Sequence, residues 1–289
     1  MTLTLILTGG QRLAELNRFF LSILNLSSKE SLQIVFIDQG GVSVDPRFER
    51  VSWVDIVHVK ASPMPLSAAR NMGLRYATGD IVGFPDDDCW YPEGLVSLVL
   101  NFFRVNKEVS ALCTNVIDPQ NGLSYGDRPI DVIINISYRN MFRLPISVGI
   151  FVRRDVLEEV GCYFDEQLGA GTKFGSGEET ELIYRLLSYN KGIRYDGYIQ
   201  VFHPSPEDRP GNTDKYYSYG LGFGFLNGRI IRDKKFSCVG YLVYVLYRSI
   251  GGVIYHINSG RRAQYLNRIL GIFVGLWYGL RLTKKISQN

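Results

Sequence analysis

The stretch "SAARNMGLRYATGDIVGFPDDD" (residues 67–88) decides how the chain is to be read. Its first part, with "PL" before it, reads as a helix over 65–79 that glycine stops. The run "DIVGF" (80–84) has the length and composition of a buried strand. Three aspartates follow: Asp86, Asp87 and Asp88. Neighbouring carboxylates repel, and they cost stability unless positive charge sits among them. The triplet is therefore either a polar turn facing water or a cation site. In an extended stretch residues two apart share a face, which would put Asp86 and Asp88 together and turn Asp87 away. A hard divalent cation needs only one or two protein carboxylates when the phosphates of a substrate complete its shell.

The pattern repeats outward from this stretch. "LTLILT" (3–8), "LQIVFID" (32–38) and "VDIVHVK" (54–60) read as strands. "RLAELNRFFLSIL" (12–24) and "PEGLVSLVLNFFRVN" (92–106) read as helices, the second with Pro92 near its start. Alternation of this kind predicts an α/β fold with a mostly parallel sheet covered by helices. Ligands of such sheets collect beyond the carboxyl ends of the strands, where Asp38 and Asp86–Asp88 lie. Residues 109–150 are mixed in pattern. A strand, a short helix and a turn follow over 147–166, then a glycine-rich loop feeding a helix over 170–190, then a strand over 198–206 that breaks at Pro204.

Several side chains carry two readings each. Arg70 either contacts a nucleotide or pairs with a neighbouring acid. Glu178, Glu179 and Glu181 either supply a base beside a hydroxyl or form an ordinary acidic helix start. His203 ligates a cation, contacts phosphate, or is a solvated loop histidine. "YYSYGLGFG" (216–224) is a close-packed helix or a mobile lid, and no strand leads directly into it as a dinucleotide fingerprint requires.

The chain has 289 residues, 46% hydrophobic and 21% charged, enough for a large α/β core with or without an appendage. Its four cysteines lack metal-ligand spacing and fit a reducing compartment. The N-terminus reads as a first strand, not a signal peptide, since no basic residue precedes its apolar run. The net charge of +4 hides an asymmetry: residues 229–289 hold eleven Lys/Arg and one acid, Asp233, against a net of −6 elsewhere. This tail also carries the apolar, aromatic runs "FSCVGYLVYVLYRSIGGVIYHI" (236–257) and "ILGIFVGLWYGL" (269–280). Tyr and Trp beside basic residues suit a segment lying in a lipid headgroup layer; the other reading is a pair of core helices. A nucleic-acid surface fits poorly, because the tail is apolar and no recognised nucleic-acid module is present.

Together these pieces resemble the bacterial family 2 glycosyltransferases, inverting enzymes of the GT-A fold that build cell-surface polysaccharides. The likeness runs in order over most of residues 1–230. "FIDQGG" (36–41) resembles the segment whose acid reads the donor base. Residues 67–88 resemble the helix and strand that lead into the Asp-x-Asp motif, and 151–187 resemble the acceptor half with its catalytic base. "HP" (203–204) and "KYYSYGLGFG" (215–224) resemble the end of the catalytic domain. Two departures stand out. Glu179 occupies a position where Asp is commonest, so the base is Glu179 or Glu178, and "GGQR" replaces a frequent Asn-Arg pair after Thr8.

The resemblance implies a Rossmann-like GT-A domain over 1–228, with a donor half to about 115 and an acceptor half from about 116, helices on both faces of its sheet, and a basic, apolar, membrane-associating helical region over 229–289. It implies a nucleoside-diphosphate sugar donor, UDP-sugar favoured, held by Thr8, Asp38, Arg70, Asp86 and Lys215. Mg²⁺ or Mn²⁺ would sit on Asp86, Asp88 and His203, and Lys215, Arg209 and Arg229 would balance the leaving diphosphate. The acceptor would be a glycan or polyprenyl-linked saccharide, at the cytoplasmic face of the bacterial inner membrane with the chain peripheral or monotopic there. The altered motifs also fit a catalytically impaired, membrane-associated binding protein of the same fold.

Overall fold

The computed structural model describes residues 1–44, 47–48, 51–205 and 213–281. The elements run β1 (Leu3–Gly9), α1 (Leu13–Leu24), β2 (Leu32–Asp38), β3 (Val54–Lys60), α2 (Leu66–Leu74), β4 (Ile81–Gly83), α3 (Leu95–Val105), β5 (Val109–Asp118), β6 (Leu123–Ser124), β7 (Ile133–Asn135), β8 (Ile150–Arg153), α4 (Arg154–Glu159), α5 (Glu178–Ser188) and β9 (Gly192–Phe202). Three helices follow: α6 (Thr213–Arg232), α7 (Val239–Tyr255) and α8 (Arg261–Arg281).

All nine strands join one sheet in the order β3-β2-β1-β4-β8-β5-β9-β7, with β6 beside β5. The first four strands are parallel in register, Leu7 facing Phe36 and Phe36 facing His58. The second half corrects the expectation of a mostly parallel sheet. β8 lies antiparallel between β4 and β5, and β7 and β6 are antiparallel to β9 and β5, so the sheet is mixed. The reason is connectivity: β8 is reached by a long excursion after β5, not by a helical crossover, and nothing then enforces parallel pairing.

The apolar periodicity of α1 buries Leu16, Phe19, Phe20 and Ile23 against Leu3, Leu5, Leu7, Ile34 and Phe36. Each such side chain contributes about 1.5–3 kcal/mol. Gly73 of α2 sits on the opposite face, where a Cβ would lie 2.4 Å from Ile6 Cγ2. Helices thus cover both faces of the parallel half.

The chain divides into two compact units. The first comprises Met1–Ser137, Arg143–Phe164 and Leu182–Pro206, and holds the sheet; the second comprises Tyr138–Phe142, Asp165–Glu181 and Glu207–Asn289. The second unit is built on glycine. Gly220, Gly224 and Gly228 of α6 meet Gly271, Gly275 and Gly279 of α8. A Cβ at Gly224 would lie 2.1 Å from the Ile272 carbonyl oxygen, and one at Gly275 would lie 2.2 Å from that of Leu221. The backbones of the two helices therefore touch along three successive turns. Beside the seam, Phe174 stacks on Phe225 with ring centres 3.8 Å apart. Of the two readings of "YYSYGLGFG", the close-packed helix is the one observed.

Gly275→Ala forces these backbones apart and should cost about 1–3 kcal/mol in urea unfolding. Gly251→Ala on α7, where a Cβ would meet nothing within 4 Å, should be neutral or stabilising by up to about 1 kcal/mol. Equal stability of the two variants would contradict the seam.

Candidate functional site

β4 ends at Gly83, and the acidic triplet is not an extension of it. Asp86 forms an isolated parallel bridge with Thr8, and the Cys89 N–H donates to the Asp86 carbonyl at 3.2 Å. The triplet is thus a turn, which corrects the alternation argument: Asp86 and Asp88 converge because the chain reverses. Two mutual backbone hydrogen bonds, 2.9 and 3.0 Å, then tie Trp90 to Phe202 at the end of β9. That clamp delivers His203 to the triplet. One ligand atom from each of Asp86, Asp88 and His203 lies within 4.8 Å of the others.

Positive charge surrounds the turn. Arg70, fully buried in α2, donates from Nη2 to Asp86 Oδ1 at 3.0 Å, which is the neighbouring-acid contact of its two readings. Arg12, the residue preceding α1, bonds both Asp87 and Asp88, one through each terminal nitrogen. Arg18 of α1 donates to the Asp88 backbone carbonyl at 2.8 Å, and its guanidinium lies over Trp90, 3.9 Å from the ring centre. The sequence did not single out Arg12 or Arg18. Burial drives the Asp87 carboxyl upward despite Arg12. Burial acts the same way on Asp88, but His203 and Arg12 outweigh it and hold that carboxyl at about 2.

The imidazole of His203 has a fixed orientation. Its Nδ1 lies 2.7 Å from the Pro204 carbonyl oxygen, which only accepts, so Nδ1 carries the proton of the neutral ring. Nε2 faces Asp88 Oδ1 at 3.2 Å. When neutral, the ring turns a lone pair toward a carboxylate, and two electron-rich atoms that close need a proton or a metal ion between them. Burial would lower the His203 pKa, but Asp88 raises it above the usual value. Two hard oxygens with one imidazole nitrogen fit Mn²⁺, and the oxygens fit Mg²⁺.

Asp38, at the end of β2, is fully buried and anchored. Its Oδ1 accepts from the Gly40 and Gly41 N–H groups, each at 2.9 Å, and its Oδ2 lies 3.0 Å from His58 Nε2. Burial works against its charge, yet these bonds hold its carboxyl below the usual range. His58 is itself stacked on Phe36. The departure "GGQR" has a steric cause here. Both glycines have positive φ, and a Cβ at Gly9 would lie 2.5 Å from Asp87 Oδ2, one at Gly10 2.6 Å from Asp38 Oδ1. Thr8 is buried just before them.

The remaining residues singled out by the sequence belong to the second unit. Glu178 and Glu181, in the first turn of α5, are buried, whereas Glu179 is half-buried. Arg229 is taken by carboxylates, 2.7 Å from Asp165 and 3.5 Å from Glu181, and so is a structural cation. Lys215 lies 5.5 Å over the Tyr219 ring. Arg209 falls outside the described residues.

The sign of the Asp88–His203 interaction is measurable. With its pKa raised above 6.5, His203 contributes stability that is complete below that value and lost as pH rises through the raised midpoint. The chain has only three histidines, so the ring signals are separable by NMR. Asp88→Asn should move one imidazole midpoint downward; three unmoved midpoints would break the assignment.

Known proteins align with this architecture. The pre-mycofactocin glycosyltransferase of Mycobacterium tuberculosis is 26% identical over 196 residues, which are 62% of this chain and 38% of that protein. The chain thus spans less than half the length of the curated relatives it matches. The mannosyltransferase PcManGT from Pyrobaculum calidifontis, solved with GDP-Man and Mn²⁺, superposes with a TM-score of 0.62 at 13% identity, covering 95% of this chain and 87% of that one. S. aureus TarS 1–349 with UDP-GlcNAc gives 0.57 at 14% identity, covering 94% and 91%. At such identities the likeness is one of fold, an α/β GT-A-like fold with a mixed sheet and a C-terminal apolar helix. Residues 11–161, a little over half the chain, match the family described as glycosyl transferase family 2, and the chain belongs to that family.

Proposed function

We propose that the chain is a metal-dependent, inverting glycosyltransferase that moves a sugar from a nucleoside-diphosphate sugar, UDP-sugar favoured, to a hydroxyl of a glycan or lipid-linked saccharide. The observation that carries this reading is the convergence of Asp86, Asp88 and His203 Nε2 at the carboxyl end of the parallel strands. The relatives support it: PcManGT is described with GDP-Man and Mn²⁺, and TarS with UDP-GlcNAc. Asp86, Asp88 and His203 would hold Mn²⁺ or Mg²⁺, which would supply fixed positive charge for the diphosphate of the donor. Asp38, its carboxylate locked by loop N–H groups and His58, offers a fixed acceptor to a nucleobase N–H, with Thr8 beside it. Arg70 acts on the nucleotide through the Asp86 it holds. Glu179 takes the proton of the acceptor hydroxyl; Glu178 is the more buried of the pair and less suited to reach a substrate. Lys215 is the cation assigned in this reading to balance the charge of the leaving diphosphate. The catalytic region is 1–228.

The region 229–289 holds the chain at the cytoplasmic face of the inner membrane, where a polyprenyl-linked acceptor resides. Among the described residues one helical stretch, Phe236–Tyr255, is long and apolar enough to cross a membrane, with mean hydropathy 1.4. On α8, Leu266, Leu270, Phe273, Trp277 and Leu280 form one stripe, each about half exposed. The spacing of four, three, four and three is that of an amphipathic helix with its apolar face outward.

The test is release of nucleoside diphosphate from a panel of sugar nucleotides, with Mn²⁺ or EDTA and a membrane extract as acceptor source. Release should require metal and extract, and should fall at least about a hundredfold in Asp88→Ala and in Glu179→Gln. Release of monophosphate or pyrophosphate, or full activity in EDTA, would refute the reading. Phe273→Ser with Trp277→Ser should weaken binding to anionic liposomes about tenfold or more; unchanged binding would remove the membrane assignment and leave the chemistry standing.

A further inference from the structure

The reading above gives Asp86 and Asp88 to a divalent cation and leaves Arg12 unexplained. Three arginines meet the acidic turn, and they are not equivalent. Arg70 is fully buried, and Arg18 is fixed on Trp90. Arg12 has a half-exposed side chain, and it bonds two of the acids at once. One of its contacts, Asp88 Oδ2, is an oxygen of a residue assigned to the metal. Arg12 stands just before α1, where its carbonyl accepts from the Leu16 N–H at 3.0 Å, so its backbone is fixed while its half-exposed side chain lies outside the helix.

The local charges explain why such a residue stands there. Three carboxylates face the two fixed guanidiniums of Arg12 and Arg70, so most of the charge of the turn is offset without any ligand. A lone divalent cation then meets a much reduced attraction, because Arg12 on Asp88 Oδ2 competes for the charge of the carboxylate whose Oδ1 faces His203. A divalent cation that arrives with a nucleoside diphosphate brings nearly balanced charge, and the diphosphate offers the displaced guanidinium a bidentate partner.

We propose that Arg12 is a tethered counter-ion: it occupies the Asp87 and Asp88 carboxylates in the free protein and passes to the diphosphate when metal and nucleotide bind, coupling the two binding events. This rests on the donor-site reading above. Coupling of this kind is reciprocal, so the nucleotide must tighten the metal by the factor by which the metal tightens the nucleotide.

The effect of removing Arg12 has opposite signs on the two ligands, which a merely structural residue would not produce. The full chain is titrated with Mn²⁺ by EPR, alone and with UDP or GDP, and with each nucleotide by calorimetry at saturating Mn²⁺. Arg12→Gln should bind Mn²⁺ alone about fivefold more tightly than the unaltered chain, since a half-exposed competing ion pair is lost. The same variant should bind the preferred nucleotide with Mn²⁺ about tenfold more weakly. Arg12→Lys should keep the sign of the coupling at reduced size, and unchanged thermal unfolding of both variants confirms that they fold. If the unaltered chain binds both ligands but Arg12→Gln binds Mn²⁺ no more tightly, or binds nucleotide unchanged, the counter-ion role is overturned and the donor site stands. If the unaltered chain binds neither Mn²⁺ nor nucleotide, the donor site falls and the role of Arg12 with it.

Discussion

Three adjacent carboxylates in one turn are the constraint on which the first unit depends. Left to themselves they would repel, and Asp87, almost buried, has little water to screen it. Fully buried Arg70 poses the converse problem, since an unpaired buried guanidinium costs several kcal/mol. The two difficulties cancel only if the loop after β1, the body of α1, the middle of α2 and the end of β9 all reach the end of β4. The parallel order β2-β1-β4 brings the first three there, and the Trp90–Phe202 bridge brings the last. The polar site is thus also a structural node. Removal of one acid disturbs chemistry and packing together, which is why a variant that keeps the side-chain shape, such as Asp88→Asn, is more informative about the site than a truncation.

The loop after β1 links two functions through sterics. Gly9 passes against Asp87 and Gly10 against Asp38, so one dipeptide lines both the acidic turn and the anchored carboxylate of β2. A side chain at either position would push one acid from its partners. The Asn71 side chain does similar work on the other side: it exchanges hydrogen bonds with the backbone of Phe164, donating at 3.0 Å and accepting at 2.6 Å. The Ala-Arg-Asn segment therefore holds the site from within, through Arg70 on Asp86 and Asn71 on Phe164, whose ring in turn packs edge-on against Phe84.

Elements up to residue 106 were legible because their apolar residues recur with the right period and glycine or proline marks their ends. β5 was not. Its ten residues are nearly all buried, yet Ser110, Thr114 and Asn115 interrupt the apolar run. Two of them make bonds no local pattern reveals: Thr114 donates to the Gly149 carbonyl, and Asn115 Oδ1 accepts from Ser124. β9 begins six residues before the expected strand for the same reason, with Arg194 and Asp196 disguising its first half. Strand direction beyond β4 is a matter of long-range pairing, which composition does not carry. In the site, Asp86, Asp88 and His203 were legible as residues, but their convergence came from a turn and not from strand alternation. Arg12 had no signal apart from standing at the end of "GGQR", since an arginine before a helix is unremarkable until the carboxylates it meets are known.

Glycines recur every four residues along the facing sides of α6 and α8, and what that spacing accomplishes is a choice of medium. Helices in water usually bury large apolar side chains between them and show polar ones outward. Here the seam is glycine, and Leu266, Leu270, Phe273, Trp277 and Leu280 of α8 are about half exposed on its outer face. Such a seam gains close backbone contact but forgoes most of the burial that stabilises helices in water. It is the packing that serves where the surroundings are already apolar and close approach is the remaining source of attraction. The charges agree: from Lys234 to Arg281 the chain has seven basic residues and no acidic one. Arg281 lies 4.5 Å over the Trp277 ring, a pairing suited to a boundary between hydrocarbon and anionic headgroups. Glycine inside the seam, bulk on the outer face of α8 and an excess of basic charge from Lys234 to Arg281 are three separate features, and the anionic lipid surface proposed above would reward all three.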